Sequence, residues 1–198
     1  MDIAELRVDL FSSSEKEYVF KELRKFKGIP TLATIRSKKE GGQWQRTESA
    51  RLALLKAVLP LVDAVDIELS SAGILKEVIQ EARRLKKIAI VSYHNFKTTP
   101  TLDSLKKILK KAKAAGADVV KIAAMANSRK DMRTLAEFTL SHADQKLITL
   151  SMGKEGAISR ILFPALGSLL TFAHAGHSTA PGQWDLKTTS FFIRKLYF

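Results

Sequence analysis

Short apolar runs alternate with amphipathic stretches along the whole chain, and this alternation constrains the fold more than any other feature of the sequence. The apolar runs cover residues 3–8, 31–35, 64–69, 88–93, 119–123, 147–151 and 169–172. Several are rich in Val and Ile and short enough to be buried parallel strands. Helical patterns lie between and after them, at residues 15–26, 47–60, 73–86, 102–115, 129–142, 156–162 and 185–197. Strands that alternate with helices predict βαβ units and a parallel sheet.

Two architectures fit this alternation: a (β/α)8 TIM barrel and an open doubly wound sheet. No glycine-rich nucleotide-binding loop follows a predicted strand, which disfavours the open sheet. Polar residues recur at the carboxyl ends of the predicted strands, which in a barrel converge on one catalytic mouth. These residues are Glu5, Arg7, Arg36, Glu68, His94, Lys121 and Ser151. We therefore predict a single (β/α) barrel domain over residues 1–198, because no composition break or flexible linker divides the chain.

The number of predicted strands falls short of a complete barrel. A (β/α)8 barrel typically has about 250 residues, or roughly 31 per βα unit, whereas this chain has 198 residues. The chain begins inside a predicted strand, so we expect the barrel to lack its first strand–helix unit. An open barrel would have two unpaired edges. We hypothesise that the natural gene product has a further N-terminal strand and helix, or that a partner chain covers the gap.

The composition narrows the classes of function. Cysteine is absent, which excludes disulfides, thiolate metal sites and cysteine nucleophiles. The sequence shows neither an apolar run long enough to cross a membrane nor a secretory leader, so we expect a cytoplasmic protein. A net charge of +13 indicates an anionic partner. Most basic residues are spread over helical stretches with few aromatic residues among them, which favours solvated helix faces over a nucleic-acid-binding surface.

Lys121 is the most informative candidate for chemistry. It lies in an apolar run, and the period of two of a strand places it on one face with Val119 and Ala123. Both faces of a barrel strand are dry, and burial favours the neutral amine, which is a nucleophile toward ketones. The alternative is a structural lysine paired with a carboxylate such as that of Glu68. Position alone does not decide between the two interpretations.

His94 follows the preceding apolar run and is a candidate for proton transfer, because imidazole exchanges a proton near neutral pH. The alternative is a strand-end histidine that only forms a hydrogen bond. The other histidines, His142, His174 and His177, do not form a metal-ligand spacing with it, so no metal site is predicted. A histidine and a lysine on adjacent strands favour a joint catalytic role over either role alone.

Arg7, Arg36 and Arg160 lie near a strand end or the start of the following helix. A guanidinium can bind a carboxylate through two parallel hydrogen bonds, so each arginine is a candidate for binding an anionic substrate. The alternative is an ion pair within the protein. The acidic residues close enough in sequence to form such a pair are Glu5 or Asp9 for Arg7, and Glu40 for Arg36.

Short motifs run in order from one end of the chain to the other. They are residues 5–9 (ELRVD), 34–37 (TIRS), 40–42 (EGG), 66–69 (DIEL), 92–96 (SYHNF), 99–100 (TP), 121–123 (KIA), 151–156 (SMGKEG), 158–160 (ISR) and 180–183 (APGQ). Each motif is weakly specific alone, whereas the whole set in this order and spacing is specific. The chain resembles type I 3-dehydroquinate dehydratases over essentially its whole length. The resemblance implies a (β/α)8 barrel that usually forms a homodimer.

The resemblance also implies roles for individual residues. Lys121 matches the lysine that forms a Schiff base, and His94 matches the general acid and base. By position, Glu40 matches the carboxylate that orients His94. The family's substrate-binding positions are occupied by Glu5, Arg7, Arg36, Arg160, Thr179 and Gln183. Thr179 stands where serine is common, and either hydroxyl can donate one hydrogen bond.

The implied reaction is a syn elimination of water from 3-dehydroquinate, a small anionic substrate, to give 3-dehydroshikimate in the shikimate pathway of aromatic amino-acid biosynthesis. No metal or organic cofactor is implied, because the imine on Lys121 is itself the electron sink. A class I aldolase shares a lysine on a strand but lacks the motifs around His94 and Gln183. An alternative of another class is a basic nucleic-acid-binding protein with weak catalysis. We favour the dehydratase and expect no binding to nucleic acid or to membranes.

Overall fold

Six β-strands alternate with helices in the structure, a computed structural model that describes residues 2–197. The strands are β1 (Ala4–Arg7), β2 (Thr31–Thr34), β3 (Ala64–Glu68), β4 (Ile88–Asn95), β5 (Val119–Met125) and β6 (Leu147–Met152). The helices are α1 (Lys16–Arg24), α2 (Glu48–Val58), α3 (Ala72–Arg84), α4 (Leu102–Ala114), α5 (Arg129–Leu140), α6 (Ser159–Leu162) and α7 (Leu186–Tyr197). The predicted alternation is confirmed, and every predicted helix overlaps an observed one.

The described residues divide into two compact units. One, which we call the N-terminal unit, comprises residues 2–93 and 111–119; the other, the C-terminal unit, comprises residues 94–110 and 120–197. A single domain over residues 1–198 stays a prediction. Within residues 2–197, no helix has the length and apolar character needed to cross a membrane.

The N-terminal unit contains a parallel sheet in which β1, β2, β3 and β4 are neighbours in that order. β2 and β3 are buried along their full lengths, as expected for parallel strands covered on both faces. Helix α3 buries an apolar stripe with helical spacing, formed by Ile74, Leu75, Val78, Ile79 and Ala82. The register aligns Arg7 of β1 with Thr34 of β2, and Thr34 with Asp66 of β3. Polar side chains of three strands are therefore side by side.

Two aspartates fix the beginnings of strands in this unit. Asp63, directly before β3, accepts the backbone N–H of Thr31 at 2.8 Å. Asp118, directly before β5, accepts the backbone N–H of Ala89 in β4 at 2.8 Å. Each carboxylate therefore satisfies a donor near the start of the strand that precedes it in the chain, and this helps to set the register.

The C-terminal unit contains the parallel pair β5 and β6, in which Lys121 is aligned with Ile148. Helix α5 is fixed to β6 by a hydrogen bond of 2.7 Å between the hydroxyls of Thr139 and Thr149. Thr149 therefore faces α5. Because side chains alternate along a strand, Ile148 and Leu150 point to the opposite face of β6.

The predicted strand at residues 169–172 is wrong. No strand is present there, although the backbone N–H of Leu169 donates to the carbonyl of Leu147 at the start of β6 at 2.9 Å. The next bond that a paired strand would make with β6 is made by a side chain. The backbone N–H of Thr149 donates to Oγ of Ser168 at 3.0 Å. Gly167, with φ of 105°, turns the chain just before this segment. The apolar run is thus packed beside β6 without pairing as a strand.

Candidate active site

Lys121 is the third residue of β5 and is 4% exposed. The prediction that it ends its strand is wrong, because β5 continues to Met125. Alternation along the strand places Lys121 on the same face as Ala123 and Met125. Its neighbour across the ladder is Ile148. The lysine side chain therefore shares its face of the β5–β6 pair with apolar side chains.

An aromatic ring covers the amine of Lys121. The Nζ atom lies 4.2 Å from the centroid of the Phe172 ring, a cation–π distance. Phe172 in turn packs against a buried cluster of Ala123, Leu150 and Met152. Sequence reasoning missed Phe172, because its run was interpreted as a strand of the core. A lysine in such surroundings has lost most of its contact with water, and its amine lies among apolar side chains.

Arg160 of α6 is 1% exposed and binds two backbone carbonyls. Its Nε donates to the carbonyl of Gly182 and its Nη1 to the carbonyl of Phe172, both at 2.9 Å. Burial lowers the pKa of Arg160 to about 10. Within residues 2–197, no carboxylate forms an ion pair with this guanidinium. A buried arginine of this kind can bind an anion and also holds the segment from Phe172 to Gly182.

Thr179 and Gln183 are brought together by the chain between them. The backbone N–H and the hydroxyl of Thr179 both donate to Oε1 of Gln183, at 2.9 and 3.2 Å. Gly182 lies between them with φ of 72°, and a Cβ there would be 2.4 Å from the carbonyl oxygen of Gly153. Glycine is required at this position because both the backbone conformation and the close approach exclude a side chain.

His94 is near the end of β4 and is partly exposed. Its ring is stacked on that of Phe96, with centroids 6.4 Å apart and an interplanar angle of 17°. His94 belongs to the same C-terminal unit as Lys121, Arg160 and Gln183. Five of the predicted site residues, these four and Thr179, are therefore in one unit, and the other predicted site residues are in the N-terminal unit.

Arg36 follows β2 in the N-terminal unit and is bound by acidic residues of β3. Its Nη2 lies 2.9 Å from Asp66, and its Nη1 lies 3.2 Å from Glu68 and 2.8 Å from the hydroxyl of Ser92. Burial lowers the pKa of Arg36, but the charges of Asp66, Glu68 and Glu5 outweigh it, so the pKa is raised. Arg36 therefore forms ion pairs inside the protein with Asp66 and Glu68, whereas the partner expected from the sequence was Glu40. A guanidinium has five N–H donors, so these three contacts leave donors for a further acceptor.

Arg7 binds Asp9 through two parallel hydrogen bonds, from Nε at 2.9 Å and from Nη2 at 2.8 Å. Asp9, one of the two acidic residues expected from the sequence, therefore forms an ion pair with Arg7. Burial raises the pKa of Asp9, but the hydrogen bonds and charge of Arg7 outweigh it, and the pKa is lowered overall. Glu5 accepts a hydrogen bond of 2.8 Å from the hydroxyl of Thr34.

Glu40 is buried at the end of a 3-10 turn, Lys38–Glu40, that follows Arg36. The hydroxyl of Ser70, just after β3, donates a short hydrogen bond to its Oε1. The turn closes tightly, because Gly41 has φ of 78° and a Cβ on Gly42 would lie 2.0 Å from the carbonyl oxygen of Arg36. The carboxylate of Glu40 is thereby held at one position relative to Arg36.

Sequence analysis missed Arg51, which is fully buried on α2 and binds Glu68 at 2.8 Å. An arginine in an amphipathic helix is usually solvated, so its own position gave no signal. The informative signal is in β3, where Asp66 and Glu68 interrupt a buried apolar strand. Two buried carboxylates need cationic partners. Within residues 2–197, no group of His, Cys, Asp and Glu has a geometry that could hold a metal ion.

Comparison with known proteins gives the family. The family described as type I 3-dehydroquinase matches residues 1–196. The 3-dehydroquinate dehydratase of Methanococcoides burtonii is 40% identical over 186 residues, which cover 92% of this chain and 79% of that protein. The enzyme of the same name from Methanothermobacter thermautotrophicus is 39% identical over 195 residues, covering 98% of this chain and 85% of that protein.

Solved structures agree in fold. The 3-dehydroquinate dehydratase of Geobacillus kaustophilus superposes with a TM-score of 0.93 at 32% identity, covering 98% of this chain and 80% of that chain. A type I 3-dehydroquinate dehydratase of Clostridium difficile, solved with covalently modified comenic acid, gives 0.92 at 33% identity over 99% of this chain and 82% of that chain. The predicted α/β fold of the TIM-barrel type is confirmed, with six strands in the described residues. The chain belongs to the type I 3-dehydroquinase family.

Proposed function

We propose that this chain is a 3-dehydroquinate dehydratase that removes water from 3-dehydroquinate through an imine on Lys121. The observation that carries the proposal is the position of Lys121, buried on β5 with its amine over the ring of Phe172. Such an amine is suited to condense with a ketone. The relatives named above share the activity in their names, and the family decides against the aldolase alternative.

Lys121 attacks the ring ketone at C3 of the substrate. Condensation takes up one proton, releases one water and leaves the positive charge on the imine nitrogen. This iminium withdraws electrons from the adjacent C2–H bond, so the C2 proton becomes acidic. After the proton is removed, the enamine expels the C1 hydroxyl in a syn elimination, and hydrolysis of the product imine releases 3-dehydroshikimate and the free amine.

His94 is the proposed general base for the C2 proton and the acid that protonates the departing hydroxyl. Its partly exposed position near the end of β4 supports this role. Glu40 is the proposed carboxylate that orients His94. The bond from Ser70 and the tight turn after Arg36 support this role, because an orienting group must itself be fixed.

Arg160 is the proposed partner of the substrate carboxylate. Its burial and the lack of an ion pair with any carboxylate of residues 2–197 support this role, since an anionic substrate would supply the missing negative charge. The other proposed substrate-binding residues are Glu5, Arg7, Arg36, Thr179 and Gln183. No metal or organic cofactor enters this mechanism, because the imine is the electron sink.

We also propose that the protein works as a homodimer in the cytoplasm. Helix α7 supports an association of chains, because Phe191 and Leu196 leave 58% and 61% of their surface exposed. The net charge of +13 suits an anionic substrate. The molar mass in solution, measured by light scattering after gel filtration, tests the dimer.

A turnover assay tests the activity. The product is a conjugated enone, so incubation with 3-dehydroquinate should produce a rising ultraviolet absorbance. Lys121→Met should abolish this signal, because the nucleophile is removed. Lys106→Met, on the exposed side of α4, makes the same substitution away from the site and should leave the rate unchanged. Absence of turnover by the unaltered chain would contradict the proposal.

A further inference from the structure

We infer that Arg51 is a positioning residue of the reaction, which acts through Glu68 to hold Arg36 in place for the substrate. The inference rests on the proposed function, because Arg36 is there a substrate-binding residue. Arg51 is on helix α2, does not touch the proposed reacting groups, and is joined to Arg36 by one buried carboxylate.

Glu68 links the two arginines and the backbone between them. Its Oε1 accepts the backbone N–H of Ser37 at 2.8 Å and lies 3.2 Å from Nη1 of Arg36. Its Oε2 accepts from Nη1 of Arg51 at 2.8 Å and from the hydroxyl of Ser71 at 2.9 Å. Because every lone pair direction of the carboxylate has a donor, Glu68 cannot move without breaking a contact to Arg36 or Ser37.

Arg51 also binds the backbone on the other side of Arg36. Its Nη1 donates to the carbonyl of Ile35 at 3.0 Å, and its Nη2 donates to Glu48 and Ser71. The backbone is thus held directly by Arg51 before Arg36 and through Glu68 after it. A shift of Arg51 would displace both ends of the peptide segment that carries the substrate-binding guanidinium.

The orientation of Arg51 leaves one of its own donors unsatisfied. Its Nε is buried and has no hydrogen-bond partner within residues 2–197. An unpaired buried donor destabilises a folded protein. A side chain selected only for stability would be expected to pair this group. The terminal N–H groups of Arg51 instead donate to Glu68 and to the carbonyl of Ile35, as expected if the role of Arg51 is to hold Arg36.

Charge balance gives the direction of the effect. The buried members of this cluster are two cations, Arg36 and Arg51, and two anions, Asp66 and Glu68, while Glu48, which also pairs with Arg51, is half exposed to solvent. Without Arg51, two carboxylates face one guanidinium, so Arg36 is drawn toward Glu68 and the cluster gains a net negative charge. Both changes weaken binding of an anionic substrate, whereas the imine and proton-transfer steps on Lys121 and His94 are not altered.

The test is a charge-balanced double-mutant cycle. Arg51→Met removes the cation, Glu68→Gln removes the anion, and the double variant restores neutrality while the glutamine oxygen can still accept from Ser37. Arg51→Lys keeps the positive charge but loses the planar guanidinium and its several hydrogen bonds. The control is Arg84→Met, the same substitution in a surface arginine that pairs with Glu81.

We expect Arg51→Met to raise KM for 3-dehydroquinate by about 10- to 100-fold, with kcat changed by less than about threefold. The double variant should return KM to within about threefold of the unaltered chain, and Arg51→Lys should fall between. Arg84→Met should leave both constants unchanged.

An unchanged KM in folded Arg51→Met, or a double variant with KM raised as much as the single one, would overturn the inference. If Arg51→Met does not fold, the double variant and Arg51→Lys decide by the same criteria. Turnover and the Lys121 adduct of the unaltered chain are measured first. If both are present, KM values that fail the criteria above refute only the role of Arg51. If both are missing, the proposed function itself fails.

Discussion

The Nη1 atom of Arg160 donates a hydrogen bond of 2.9 Å to the carbonyl of Phe172, the residue whose ring lies 4.2 Å from the amine of Lys121. The proposed carboxylate-binding arginine and the proposed imine-forming lysine are therefore connected through one residue. Arg160 also binds the carbonyl of Gly182, next to Gln183. The buried guanidinium of Arg160 thus holds the backbone of Phe172, whose ring lies over Lys121. It also holds the segment that carries Thr179 and Gln183.

This connection predicts that Arg160 is needed for more than its charge. Arg160→Lys keeps the positive charge. A single ammonium on a flexible chain cannot reproduce the planar guanidinium, which donates to the carbonyls of Gly182 and Phe172 at once. We expect kcat/KM to fall by about 100-fold, measured by steady-state kinetics. Arg133→Lys, on an exposed position of α5, is the matched control. Full activity of Arg160→Lys would show that the fork is not required.

Replacing the nucleophile should stabilise the fold while removing activity. Lys121→Met puts an apolar side chain against Phe172 and Ala123 in place of a buried amine. We expect the free energy of unfolding to rise by about 0.5–2 kcal/mol, measured by urea denaturation, with no turnover. Lys106→Met controls for the loss of one positive charge. A marked loss of stability in Lys121→Met would mean that this lysine has a structural role.

Thr179 should tolerate serine but not valine. Serine keeps the hydroxyl that donates to Gln183, and valine keeps the shape without it. We expect Thr179→Ser to retain activity and Thr179→Val to raise KM by about tenfold, the equivalent of one hydrogen bond. Steady-state kinetics of the two variants decide the matter. Equal KM values for both variants would show that the hydroxyl of Thr179 does not contribute to substrate binding.

The ion pair of Arg7 and Asp9 should make stability depend on pH. Because the pKa of Asp9 is lowered in the folded protein, its contribution is complete above its ordinary value near 3.8 and is lost as the pH falls through the lower folded value. Asp9→Asn should therefore cost about 1–3 kcal/mol at pH 7 and progressively less below pH 4. Urea denaturation at several pH values measures the difference. Asp144→Asn, at an exposed position, should cost little at any pH.

Most of the fold follows from local patterns in the sequence. Within residues 2–197, seven α-helices and six strands are found where periodicity predicts them, and most of them bury an apolar stripe or run. The failure at residues 169–172 has a local cause. An apolar run of this length fits both a strand and a packed loop. In the structure the backbone N–H of Thr149 donates to the side chain of Ser168, where a paired strand would offer a backbone carbonyl.

The sequence predicts a set of candidate site residues but not the contacts among them. The motifs around His94 and Lys121 indicate the family, and the family resemblance extends the predicted set to Arg160 and Gln183. The partners of Arg36 depend on the register of β3 and on Arg51 of α2, which are distant in sequence. Phe172, whose ring lies over the amine of Lys121, is held at its carbonyl by Arg160. Such long-range contacts leave no periodic signal in a single sequence.

Borohydride trapping tests the central claim most directly. The chain is incubated with 3-dehydroquinate, reduced with borohydride, digested, and the added mass is located by mass spectrometry. An imine on Lys121 predicts a stable secondary amine on the peptide that contains this residue, and no adduct in Lys121→Met. An adduct on any other lysine, or none in a preparation that turns over substrate, would contradict the account.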